Sequence, residues 1–283
     1  MYEAYWGLQE PPFSLTPDPR FLYLSRAHED ALMMLHYAIT RNKGAAMLCG
    51  DIGLGKTTIS RKLIEMIDPL AYQFVLIVNP ILTPTQMLGE ILSQLGIEPT
   101  SRNRQVLVQQ LHSHLLDNYC RGKRVIVLID EAHLIRSSAT LEELRLLLNC
   151  QMNDQFLVSL VLLGQLELKK KIEKVPALNQ RIAVRYALQQ LDIQETGAMI
   201  EFRLRTAGYT AEQIPFTPDA IFEIHKVTGG TPRLISQAAD NALLVGFVQN
   251  LKRIDGFTMH SILCEDNELG SKNDLSSETR KAA

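Results

Sequence analysis

Cysteine is scarce and unpaired in this chain: Cys49, Cys120, Cys150 and Cys264 lie far apart, and no C-x-x-C spacing occurs. That excludes a disulfide framework and a thiolate zinc site, and it predicts buried free thiols. Long apolar runs are missing as well. No window approaches the roughly 18 uncharged apolar residues of a membrane span, and the opening MYEAYWGLQEPPF has neither the basic start nor the apolar stretch of a secretory signal. The sequence therefore predicts a cytoplasmic protein without a membrane span. An excess of positive charge is absent too: 29 Lys and Arg stand against 31 Asp and Glu, a net charge of −2. That balance argues against a surface built throughout for nucleic-acid phosphates. The tight run Lys169, Lys170 and Lys171 leaves two local readings open, a solvated helix face or a contact with DNA or a partner. No internal repeat is found.

What the sequence does have is apolar material for a sizeable core, 46% of 283 residues. Proline punctuates PPFSLTPDPRFLYLS, which predicts an extended, turn-rich arm whose Phe13, Phe21 and Tyr23 need something to pack against. Ser25 reads as the N-cap of a helix running to about Arg41, with Glu29 and Asp30 in its first turn and Leu32, Leu35 and Ile39 at helical spacing. Downstream, the aliphatic runs AAMLCG, YQFVLIVN, RVIVLID and FLVSLVLLG alternate with amphipathic segments such as TTISRKLIEMI, TPTQMLGEILSQLGI, QVLVQQLHSHLLDNYCR and SATLEELRLLLNC. Strands that are apolar throughout and separated by helices predict a parallel sheet covered on both faces, an α/β architecture. Near Leu191 the alternation stops. IQETGAMIEFRLRTAGY, TPDAIFEIHKVTGG and TPRLISQAADNALLVGFVQN read as helices, with threonine-proline starts and glycine ends. The expected division is an α/β domain over 1–190 that includes the arm, a smaller all-α domain over 191–266, and a polar disordered tail over 267–283.

The string GDIGLGKTT, Gly50, Asp51, Ile52, Gly53, Leu54, Gly55, Lys56, Thr57 and Thr58, fits G-x-x-x-x-G-K-[ST]. It follows an apolar strand and opens a helix, as a phosphate loop must, because loop amides and the helix N-terminus surround the phosphates. Gly53 and Gly55 permit the loop's dihedrals, Lys56 reaches the β- and γ-phosphates, and Thr57 offers its hydroxyl to Mg²⁺. A second strand, VIVLIDEAH, leaves Asp130 and Glu131 at the sheet's carboxyl edge, where ligands of α/β proteins sit. Asp130 suits Mg²⁺ and Glu131 suits the water that attacks the γ-phosphate. A third strand ends in Gln165, placed to orient that water or to feel the γ-phosphate. No N-K-x-D string follows the phosphate loop to read guanine, so adenine is the expected base.

Taken together with YWGLQEPPFSLTPDPRFLYLSRAHEDAL at the start, ALNQRIAVRYAL in the middle and GGTPRLISQAADNALL near the end, these motifs resemble AAA+ ATPases of the ExeA type, the general secretion pathway protein A group. Similar modules occur in MSHA-type pilus assembly proteins, in exopolysaccharide and exosortase-associated ATPases, and in transposition regulators of the TniB and TnsC kind. The resemblance implies a P-loop NTPase sheet domain followed by a small all-α lid, with ATP and Mg²⁺ as ligands. It implies that Arg181, or after it Arg185, reaches the γ-phosphate of a neighbouring subunit, so that hydrolysis needs a homo-oligomer, ring or filament. Arg233 in GGTPR matches the sensor arginine of the lid, which contacts the phosphates in the same subunit. Phe13, Pro17 and Leu22 of the arm become candidates for the apolar slot over adenine, and are equally good core residues. Long members of the group continue into a membrane span and a peptidoglycan-binding domain. This chain ends in a polar tail, so any membrane role is expected to be peripheral, at the inner membrane through a protein partner.

Two functions of different class follow from the resemblance. In one, an oligomeric ATPase drives or regulates assembly of a cell-envelope apparatus such as a secretion system, pilus or polysaccharide exporter. In the other, an ATP-dependent regulator of the TniB and TnsC kind coats duplex DNA. The slightly acidic composition favours the first, and ELKKKIEKV is the best feature of the second.

Overall fold

A computed structural model describes residues 1–14, 18–153 and 155–264, and the chain divides into two units. One is Arg26–Gln189; the other joins Met1–Ser25 to the chain from Gln190 onward.

The first unit is built on strands β1 (Ala45–Cys49), β2 (Tyr72–Ile77), β3 (Arg124–Ile129), β4 (Gln151–Met152), β5 (Gln155–Phe156), β6 (Val158–Gly164) and β7 (Ile182–Ala187). Five of them form one parallel sheet in the order β2-β3-β6-β1-β7, while β4 and β5 make a small antiparallel ribbon. Every residue of β1 and β6 is buried, which is why both read as unbroken aliphatic runs. Helices Arg26–Thr40, Lys56–Met66, Pro84–Gln94, Arg104–Cys120, Ser138–Leu147, Glu167–Glu173 and Pro176–Arg181 complete this unit. Their starts follow the expected chemistry. Thr83 accepts from the Gln86 amide and Gln86 returns a bond to the Thr83 amide, a capping box with Pro84 at the first helical position.

Strand β7 carried no aliphatic run to announce it. It lies at a sheet edge, with Ile182 buried and Ala183 and Arg185 exposed, so only one face is apolar. The β4–β5 ribbon, two residues a side, is too short to leave a period.

The second unit contains helices Tyr2–Trp6, Ile193–Thr206, Pro218–Thr228 and Pro232–Val248, a 3₁₀ turn at Pro19–Phe21, and helical residues 256–264. Its core includes Leu191, Ile200, Leu204, Phe216, Ile224, Ile235 and Leu243. Here the structure corrects the expected division. The arm belongs to the helical unit: Trp6, Phe13 and Phe21 are buried in its core, Tyr23 packs against that core, and the Trp6 indole donates to the Leu243 carbonyl at 2.9 Å. The aromatic residues of the arm satisfy themselves there because three helices offer an apolar surface that a fully covered parallel sheet lacks.

The second glycine of GGTPR has a steric reason. Gly230 has φ +74°, and a Cβ on it would stand 2.0 Å from the Leu191 carbonyl oxygen, while its own carbonyl accepts from the Leu191 amide at 2.9 Å. The expectation of buried thiols holds only for Cys49; Cys150 is half-buried, and Cys120 and Cys264 are exposed. Among the described residues no helix is long and apolar enough to cross a membrane. The tail assigned to 267–283 lies outside the described residues.

Candidate functional site

The strand order brings three chain segments to the carboxyl edge of the sheet. Adjacent strands β3, β6 and β1 end in Asp130–Glu131, Gln165 and the loop from Gly50, respectively. Two ladder bonds continue past the strand ends and pin this edge, Gly50 amide to Gly164 carbonyl at 3.1 Å and Asp130 amide to Ile77 carbonyl at 2.8 Å.

The loop rises from β1 and turns into helix Lys56–Met66 through Gly55, which stands at the N-cap with φ +90°. That left-handed conformation aims the first helical amides toward the loop interior. Leu54 is buried and anchors the loop, whereas Asp51 and Ile52 are exposed, Gly53 and Thr58 are half-buried, and Gly53 has φ +83°. Lys56 is 6% exposed, and its ammonium donates to the carbonyls of Gly50 at 2.9 Å and Asp51 at 2.8 Å. Burial pushes this lysine below the usual range, and the nearby carboxylates of Glu131, Asp130 and Asp51 oppose the shift.

Thr57 Oγ1 donates to Asp130 Oδ2 at 2.7 Å, and Asp130 Oδ1 accepts from the Glu131 amide at 2.9 Å. Asp130 is only 2% exposed. A hydroxyl and a carboxylate side by side at a phosphate loop are the oxygen donors a hard cation takes. Among the described residues no three His, Cys, Asp or Glu side chains converge as a metal cage. The donor set therefore fits Mg²⁺ held largely by nucleotide phosphates, with Thr57 and Asp130 as its protein contacts.

Glu131 follows with φ +51°, an uncommon conformation for a residue with a side chain, and feeds the turn Ala132–Leu134. The turn is docked on the end of β6. The Lys171 ammonium donates to the carbonyls of His133 and Ile135, the latter at 2.9 Å, and Gly164 lacks the Cβ that would come within 3.2 Å of the His133 nitrogen. Lys171 is thus a tie within the unit, which corrects the reading of the Lys169–Lys171 run as a free basic cluster; Lys169 and Lys170 are exposed. Gln165 is half-buried, and its amide donates to His133 Nδ1 at 3.4 Å.

The arginines lie elsewhere. Arg181 closes helix Pro176–Arg181 just before β7, at the amino edge of the sheet, and six strand residues separate it from the carboxyl edge by about 20 Å. Its Nη2 donates to Asn149 Oδ1 at 3.3 Å, and its guanidinium lies 6.0 Å from the centroid of the Phe156 ring. Arg185, exposed on β7, donates to the Asn179 carbonyl and to Asn179 Oδ1 at 2.9 Å. Neither is hydrogen-bonded to the phosphate loop of its own chain. Arg233 is exposed at the second position of helix Pro232–Val248, in the helical unit.

Phe13 is 1% exposed with its ring edge-on to Phe216, 6.5 Å between centroids. No face of it is left for a base, so it is a core residue and not an adenine contact. Leu22 is half-buried after the 3₁₀ turn of the arm, and Pro17 lies outside the described residues.

Two histidines escaped the sequence reading. His28 is 2% exposed, and its Nε2 lies 2.9 Å from the Leu54 carbonyl, which fixes the loop from behind. His133 stands inside the string that supplied Asp130 and Glu131, yet spacing gave it no task. Its position three residues past Asp130, at the start of a turn, was the available signal.

With this geometry in view, the relatives are informative. The AAA domain family model matches residues 39–172, the span from the end of the first long helix to the end of the Lys169–Lys171 helix. General secretion pathway protein A of Aeromonas hydrophila is 39% identical over 259 residues, covering 90% of this chain and 46% of that protein. The chain thus spans about half the length of the curated relative it matches. Among solved structures, the Aeropyrum pernix ORC2 protein in its ADPNP-ADP complexes superposes with a TM-score of 0.66 at 16% identity, over 91% of this chain and 72% of that one. Cdc6p from Pyrobaculum aerophilum gives 0.64 at 20% identity, over 86% and 67%. The Thermotoga maritima RuvB Holliday junction branch migration motor gives 0.54 at 18%, over 83% and 67%. At these identities the structures establish the fold alone, a parallel P-loop sheet with a helical companion. Family match, sequence identity and fold agree: residues 39–172 match an AAA domain on a P-loop sheet, and 90% of the chain is similar to general secretion pathway protein A.

Proposed function

We propose that the chain binds ATP with Mg²⁺ at the Gly50–Thr58 loop and hydrolyses it within a homo-oligomer that works on a protein partner of a cell-envelope assembly machine. The observation that supports this reading best is the meeting of Thr57 with Asp130 at 2.7 Å beside a carboxylate, Glu131, whose Oε2 is buried and has no hydrogen-bond partner. Bound Mg²⁺ supplies neutralisation of charge on the β- and γ-phosphate oxygens. Loop amides and the start of helix Lys56–Met66 bind the phosphates, and the Lys56 ammonium leaves the loop carbonyls to pair with them. Glu131 takes a proton from the attacking water as general base, and Gln165 orients that water. Arg181, with Arg185 as the alternative, faces away from its own loop, so its catalytic use is across a subunit boundary, where it would stabilise the γ-phosphate of a neighbour. Arg233 acts from the helical unit as a reporter of the bound phosphates.

The partner is proposed from the relative's printed role in general secretion and from the absence of a net basic charge. The DNA-coating alternative loses part of its support with Lys171 engaged on backbone carbonyls. Lys56→Ala is expected to abolish ATP binding by titration calorimetry, and Glu131→Gln to keep binding, remove turnover and stabilise oligomers in light scattering. Full hydrolysis by the Glu131→Gln protein would remove the catalytic assignment.

A further inference from the structure

The turn after β3 and the end of β6 share one nitrogen atom. His133 is 6% exposed, and its Nδ1 accepts from the Gln165 amide at 3.4 Å while lying 3.2 Å from Glu131 Oε2. A backbone N–H only donates. Nδ1 must therefore present a lone pair to Gln165, which puts the ring proton of the neutral imidazole on Nε2. Glu131 Oε2 lies against Nδ1 without hydrogen-bond geometry, and that oxygen is buried without a partner. The ring packs beside the carboxylate and limits its positions without satisfying it.

The ring itself has little freedom. Lys171 clamps the carbonyls of His133 and Ile135, and the bare Gly164 lets the turn sit directly on the end of β6. The left-handed backbone of Glu131 starts the same turn, so side chain and scaffold are set together.

We infer that His133 is a positioning residue for Glu131: its ring, kept in one tautomer by the Gln165 amide, orients the carboxylate and leaves Oε2 as an unmet acceptor for a proton from water. This role rests on the reading of Glu131 as the base. The shared nitrogen also links the two strand ends.

The experiment compares steady-state ATP hydrolysis and, separately, binding of a non-hydrolysable ATP analogue for the full chain and for His133→Ala, His133→Asn and His133→Gln. The Asn side chain places Oδ1 near the Nδ1 position and accepts from Gln165, whereas the longer Gln reaches toward the Nε2 position. Ala and Gln are expected to lower kcat about tenfold with KM and analogue affinity within about twofold, and Asn to keep more than about a third of kcat. If Ala fails to fold, the Asn and Gln pair carries the comparison. Equal kcat in all variants, equal losses in Asn and Gln, or a loss expressed in KM alone would overturn the inference. No turnover in the wild type would sink the hydrolysis reading and this role with it; undiminished turnover in His133→Ala sinks the role alone.

Discussion

Thr57 Oγ1 and Asp130 Oδ2, 73 positions apart in the chain, meet at 2.7 Å across the end of β6. The two strands that deliver them, β1 and β3, are not neighbours: β6 lies between, and the loop must lean over it for the contact to form. Asp130→Asn tests what the carboxylate adds. Asn keeps its oxygen for the Glu131 amide and turns its NH₂ to the Thr57 hydroxyl, which can accept, so the local fold is retained and the charge is removed. The gain in ATP affinity on adding Mg²⁺ is expected to shrink about tenfold, with affinity in the presence of a chelator unchanged, by titration calorimetry. An equal loss with and without Mg²⁺ would place Asp130 in loop structure and not at the cation.

Lys56 carries a pH signature. Burial lowers its proton affinity, so with rising pH the ammonium is lost earlier than on an ordinary lysine. Phosphate binding needs the charged form. ATP affinity is therefore expected to be flat near neutral pH and to fall through the alkaline range before a solvent-exposed lysine would titrate, while bound nucleotide shifts the loss upward again. Calorimetric titrations between pH 7 and pH 10, roughly the interval below the ordinary lysine value, check the sign. Affinity that stays level to the top of that interval would mean that Lys56 does not contact the phosphates.

Much of the candidate site could be read before the fold was seen, because its chemistry is local. Gly50–Thr58 is one contiguous string, and the Asp130–Glu131 pair ends an aliphatic run that can only be a covered strand. What binds these segments together is not local. The order of β3, β6 and β1 depends on crossovers that no short string encodes, and the task of His133 appears only when Gln165 arrives from another strand. Strand β7 hid behind its edge position, and the arm was given to the wrong unit because Trp6, Phe13 and Phe21 announce burial without naming the surface. Lys171 shows the converse: a charge run looks solvated until the carbonyls of the turn beneath it are in place.

Gly230 and Gly229 separate backbone freedom from close contact. Both have positive φ, +74° and +56°, but only at Gly230 would a Cβ strike backbone, the Leu191 carbonyl. Gly229→Ala is expected to cost about 1 kcal/mol for the left-handed conformation, and Gly230→Ala on the order of 3 kcal/mol because the Leu191 pairing must also break. The single tryptophan, Trp6, lies buried in the same unit. Its fluorescence in urea unfolding reports both variants, and similar costs at the two positions would contradict the steric account.

Arg203 is a charge the helical unit carries at a loss. Its Nε and Nη1 are buried without a hydrogen-bond partner among the described residues, and burial lowers its proton affinity to about 10. A base whose folded-state value is depressed destabilises the fold below that value, and the penalty is relieved progressively between it and the unfolded value, far into the alkaline range. Below about 10 the folded protein holds a desolvated guanidinium and bears the penalty in full, so the cost is constant across neutral pH. Arg203→Met keeps a long, flexible, apolar stem and removes the charge. It is expected to raise the unfolding free energy by ~1–3 kcal/mol, by the same amount at pH 6 and pH 8, in urea titrations followed by Trp6. A destabilised variant would show that the guanidinium has an acceptor in solution, and a gain that grows with pH would show that some other group is titrating.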